Sequence, residues 1–88
     1  MKIKDGYILK KLSDSYVVLA VGEEASKFNG MIRLNESGCM LWSELEKGAD
    51  MKALVQRLMQ EYSVPEETAQ QDVKEYLQKL KDVGCIIE

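Results

Sequence analysis

The spacing of apolar residues along this chain changes once, near Asn35. Before that point the runs are short and strand-like. Tyr7 to Leu12 (YILKKL) is rich in residues that favour extended backbone. Ser13-Asp14-Ser15 then reads as a turn, and Tyr16 to Val21 (YVVLAV) as a second strand. Its unbroken apolar character predicts burial on both faces, so it should be the central strand of a hairpin-based sheet. Gly22 to Phe28 reads as a loop, with Phe28 an anchor to the core. Asn29-Gly30 is a turn signal, because both residues tolerate positive φ. Met31 to Leu34 is the third strand. Its alternation places Ile32 and Leu34 on the core face and Met31 and Arg33 on the other.

After Asn35 the period becomes helical. Asn35 can cap a helix, since its side-chain oxygen can accept an orphan amide. Gly38, Leu41, Trp42 and Leu45 then follow at i, i+3, i+4 and i+7, which predicts a helix from Glu36 to about Lys47, stopped by Gly48. Asp50 caps a second helix ending near Tyr62, with Met51, Leu54, Val55, Leu58, Met59 and Tyr62 as its apolar stripe. Ser63 and Glu66 have the spacing of a capping box. Pro65 disfavours a helical Val64, so the reading prefers Pro65 as the first residue of the third helix. That helix carries the stripe Ala69, Val73, Tyr76, Leu77, Leu80 and Val83 and ends at Gly84, before an apolar tail, Cys85-Ile86-Ile87. The expected architecture is a single α+β domain over residues 1–88, winged-helix-like, with a three-stranded antiparallel sheet followed by a three-helix bundle.

Composition narrows the function classes. The 12 basic and 15 acidic residues give a net charge of −3, which argues against nucleic acid and anionic membrane as partners. The third helix, the recognition helix of a DNA-binding reading, carries Glu66, Glu67, Asp72, Glu75 and Asp82 against Lys74, Lys79 and Lys81. Phosphate contacts demand the opposite balance. No apolar run approaches the roughly 20 residues that span a bilayer, and no signal peptide is visible, so a cytoplasmic location is expected. The sequon Asn35-Glu36-Ser37 is then a chance match. The chain has no His and two Cys, Cys39 and Cys85. The commonest general base is therefore missing, a zinc site lacks ligands, and both thiols read as small buried hydrophobes. No phosphate loop or nucleophile elbow occurs. Neither catalytic residues nor a cofactor or metal are expected.

What remains is the edge of the sheet. The third strand should lie at one edge, beside the second, with one flank of its backbone unpaired. Such an edge docks an extended peptide, pairs with a second copy in a homodimer, or is protected by its shortness and by Arg33.

The run MIRLNESGCMLWSEL, followed by LVQRLMQEY and then ETAQQDVKEYLQKLKDVGCI, resembles the PqqD-like family over nearly the whole chain, from about Tyr7 to Ile87. Its most specific pieces are Leu34-Asn35-Glu36-Ser37-Gly38 with Trp42 four residues on, and Asp72-Val73 ahead of Leu77, Leu80 and Gly84. The resemblance implies a non-catalytic peptide chaperone or adaptor. Such proteins bind the leader segment of a ribosomally made precursor peptide and present it to a modifying enzyme, often a radical S-adenosylmethionine enzyme. It implies that the leader is held as an added strand against Met31, Ile32, Arg33 and Leu34, in the groove beside the third helix. Helical spacing then puts Thr68, Asp72, Glu75 and Lys79 on the side flanking that groove, with Tyr76 at its border. Cys39 and Cys85 stand where other small or apolar residues are more familiar in the family. Nothing selects the pyrroloquinoline quinone pathway over other peptide pathways. The alternatives carried forward are an edge-strand dimerisation module and a winged-helix DNA-binding protein.

Overall fold

The computed structural model describes residues 1–27 and 30–88. The expected Phe28 anchor, and Asn29 of the predicted turn, lie outside the described residues. Among the described residues five strands form: β1 (Lys2–Ile3), β2 (Tyr7–Leu12), β3 (Ser15–Ala20), β4 (Met31–Leu34) and β5 (Ile86–Ile87). Three helices follow β4: α1 (Glu36–Lys47), α2 (Met51–Tyr62) and α3 (Glu66–Val83).

The antiparallel sheet has the order β2-β3-β4, so the apolar run is central and β4 is an edge, as its pattern predicts. Val17 and Val18, adjacent on β3, are both buried, which accounts for the absence of alternation there. Val21 falls outside the strand and is exposed. On β4, Ile32 and Leu34 face the core while Met31 and Arg33 do not. Residues 22–26, read as loop, form one short 3-10 turn.

The helices match their predicted spans closely because each has a local start and stop. Asn35 Oδ1 accepts from the Gly38 amide and Asp50 Oδ1 from the Ala53 amide, both at 2.8 Å. Gly48 closes α1 and Gly84 closes α3 at φ of 96° and 89°. The third start differs from expectation by one residue. Pro65 is the cap, extended at ψ 150°, and α3 begins at Glu66. Ser63 caps nothing. It adopts φ 51° and ends α2, its amide donating to the Met59 carbonyl.

One core holds the sheet to the helices. Trp42, Leu45, Leu54, Leu80 and Val73 are fully enclosed, with Ile32 and Leu34 closing it from β4. Met51 and Tyr62, in the predicted apolar stripe, are exposed at the two ends of α2. Cys85 is buried, whereas Cys39 is only half-buried. The polar lead and the apolar tail join as a second small sheet, Lys2 opposite Ile87 and Ile3 opposite Ile86. Ile3 thereby enters the core and the chain ends are tied together. Among the described residues, no helix is long and apolar enough to cross a membrane.

Candidate functional site

The site begins with a backbone, not a side chain. β4 pairs with β3 on one flank only, and among the described residues no strand takes the other. Beside that bare flank runs a cleft of about 480 Å3. β4 contributes Arg33 and Leu34 to its wall, and α3 contributes Asp72, Glu75, Tyr76 and Lys79. Six of the nine positions singled out from sequence therefore meet in one place. Of the others, Ile32 turns into the core, Met31 lies on the far face of β4, and Thr68 sits more than one turn before Asp72 on α3.

Sequence reasoning missed the end of the cleft. Asn35, Ser37, Gly38 and Leu41, from the start of α1, line it, as does Leu58 of α2. Asn35, Leu41 and Leu58 were each legible as a cap or an apolar stripe position. What the sequence lacked was the angle at which α1 leaves β4.

That angle is set by close contacts. A Cβ on Gly38 would stand 3.3 Å from both Leu34 Cβ and Asn35 Oδ1, so the lack of a side chain lets the first turn of α1 lie against the end of β4. Tyr76 braces the opposite wall. Its hydroxyl donates to the Gly38 carbonyl oxygen at 2.8 Å, joining α3 to α1. Burial pushes the Tyr76 hydroxyl pKa well above its ordinary value, so it remains a neutral donor.

The charges on the rim are mixed. Gln71 Nε2 donates to Glu75 Oε1 at 2.9 Å and holds that carboxylate along α3. Among the described residues, Arg33, Asp72 and Lys79 make no ion pair. They remain available to charges of either sign on an incoming chain. The described residues hold no cluster of metal-ligating side chains. A second groove, of about 540 Å3, lies between α2 and the start of α3, lined by Met51, Val55 and Met59 among others. It is walled by helices alone, so it offers no strand edge.

Together the fold and the cleft define a small α+β domain that presents an unpaired strand edge across from an amphipathic helix. A family model described as coenzyme PQQ synthesis protein D (PqqD) matches residues 15–86, and the chain belongs to that family. Among solved structures it is similar to TbiB1 in complex with the TbiA(beta) leader peptide. That match has 28% identity, covers 93% of this chain and 90% of the other, and has a TM-score of 0.75. It is also similar to a lasso peptide synthetase B1 complexed with the leader peptide, at 20% identity over 99% and 96% of the two chains, with a TM-score of 0.77. The latter likeness bears on the fold alone. Comparison with curated proteins finds no match.

Proposed function

We propose that this chain is a non-catalytic adaptor that binds the leader segment of a ribosomal precursor peptide and presents it to a peptide-modifying enzyme. The observation that carries the reading is the bare β4 edge facing the α3 wall. An extended peptide laid along that edge satisfies the unpaired amides and carbonyls of β4. Every second side chain of the peptide then points into the cleft between Leu34 and Tyr76. Backbone pairing supplies affinity without regard to sequence, and the cleft supplies selectivity. The leader complex of TbiB1, a relative covering nearly the same length, supports the same use of the fold. The enzyme that receives the peptide is a radical S-adenosylmethionine enzyme or another modifying enzyme of the same pathway.

Arg33→Pro removes one amide donor from the edge strand. Fluorescence polarisation with a labelled candidate leader peptide should show weaker binding, while circular dichroism shows the fold retained. Unchanged affinity would falsify strand addition. Light scattering separates the alternative in which β4 pairs with a second copy, since a competing leader would then dissociate a dimer.

A further inference from the structure

The sheet has a second face, and its composition is one-sided. Cross-strand register aligns Ile8, Leu19 and Met31 in one row, and Lys10, Val17 and Arg33 in the next. The first row is apolar and open to solvent, with Ile8 37% and Met31 54% exposed. The second is basic at both ends. Val17 between them is only 2% exposed yet stands outside the main core. Its direct cross-strand neighbours are Lys10 and Arg33. None of the strand residues on this face is acidic, although the chain as a whole carries a net charge of −3. Among the described residues, neither Lys10 nor Arg33 has an ion-pair partner.

We infer that the peptide taken up at β4 is read on both faces: an apolar residue beside Met31 and, two positions away, an aspartate or glutamate beside Arg33. The inference rests on the strand-addition reading and deepens it. A strand laid along β4 alternates its side chains between the two faces of the sheet. Those opposite Ile32 and Leu34 enter the cleft. Those opposite Met31 and Arg33 extend the outer face by one strand, continuing its apolar row and its basic row. This holds for either direction of the added strand, because the period of two is the same. An acid there supplies a counter-charge that no strand residue of this face provides and that no ion pair among the described residues gives Lys10 or Arg33. A second copy stacked on this face would bring Lys10 and Arg33 against their own counterparts, four cations with no counter-charge from the strands. The substrate class is thus a leader with an acid and a large apolar residue at i and i+2, flanking the residue that enters the cleft.

The test uses the intact chain and random peptides of strand length, roughly ten residues, displayed on phage. Peptides retained by the wild-type chain should carry Asp or Glu two positions from a large apolar residue. Selection on Arg33→Glu should move the preference to Lys or Arg, and selection on Met31→Glu should remove the apolar preference. For one selected peptide, changing its acid to Lys should weaken binding to the wild-type chain by about 1.5- to fivefold, and Arg33→Glu should restore it, the range expected of a cross-strand ion pair. Both positions are exposed, so the variants should fold, as circular dichroism will check. Retained peptides with no such spacing, or a preference unaltered by Arg33→Glu, overturn this inference while leaving strand addition standing. A wild-type chain that retains no peptide, or peptides that bind Arg33→Pro equally well, overturn both.

Discussion

The Tyr76 hydroxyl and the missing Gly38 side chain act on the same spot. One ties α3 to the first turn of α1, and the other lets that turn approach β4. Tyr76→Phe keeps the ring and deletes the bond. The expected loss is about 1 kcal/mol, or a fall in Tm of about 4–8 °C for a domain of this size. Thermal unfolding measures it, and an unchanged Tm would mean that solvent replaces the bond without loss. Trp42 illustrates which effect prevails in the core. Its indole N–H is buried without a partner among the described residues. That omission costs about 1–3 kcal/mol. Burying the ring removes on the order of 150–250 Å2 from water, worth about 4–6 kcal/mol. The apolar gain is the larger, so Trp42 serves the core despite its idle donor.

Among the elements, α1 does two jobs through its first turn. Asn35 caps it, accepting from the Gly38 amide and from the Ser37 hydroxyl at 2.9 Å, and the same turn closes one end of the cleft. Asn35→Ala should lower stability by about 1 kcal/mol in a urea titration. It should also weaken peptide binding, because the frayed turn forms a wall of the site. Asn35→Asp keeps the capping oxygen and should restore both. If Asn35→Ala bound peptide normally, the first turn would be excluded from the site. Helix boundaries were legible because caps and stops are local: Asn35, Asp50, Gly48 and Gly84 each act within one turn. β1 and β5 were not, since each is two residues long and a period cannot be read from two positions. Pairing between opposite ends of the chain leaves no local trace.

Across the whole molecule, Glu24 fastens the segment that leads toward β4. Its carboxylate meets Lys4 Nζ at 2.8 Å and Lys27 Nζ at 3.6 Å, and accepts from the Tyr7 hydroxyl at 3.4 Å. Gly6 arches over it at φ 104°, where a Cβ would stand 2.6 Å from Glu24 Cγ. The hydrogen bond from Lys4 holds the Glu24 carboxyl below its ordinary pKa of 4.5, and the same bond holds the Lys4 ammonium above 10.5. A depressed carboxyl contributes stability above its ordinary pKa that is lost as pH falls. A raised ammonium contributes stability that is lost as pH rises past 10.5. Burial of the Cys85 thiol, which pushes its pKa up to about 11, adds to the alkaline loss from about pH 9 upward. Thermal melts across pH should therefore show a neutral plateau with two falling limbs. Glu24→Gln should lower the plateau and flatten the acid limb, and an acid limb of unchanged slope would remove Glu24 from this role.

The residues alone specified most of the architecture. Three strands with β3 central, three helices with their caps, and the core faces of β4, α1 and α3 all follow from periods of 2 and 3.6 and from residues that act on their own turn. The resemblance to the PqqD-like family pointed further, to β4 and the Asp72–Lys79 side of α3 as one place. Long-range packing supplied the rest. It joined β1 to β5, brought Asn35, Gly38, Leu41 and Leu58 to the cleft, and left Met51 and Tyr62 in solvent. It also aligned Lys10, Val17 and Arg33 in one row, from strands that are distant in sequence. The reason is the same in each case. A period tells a residue which way to face, while register and crossing angle decide what it faces.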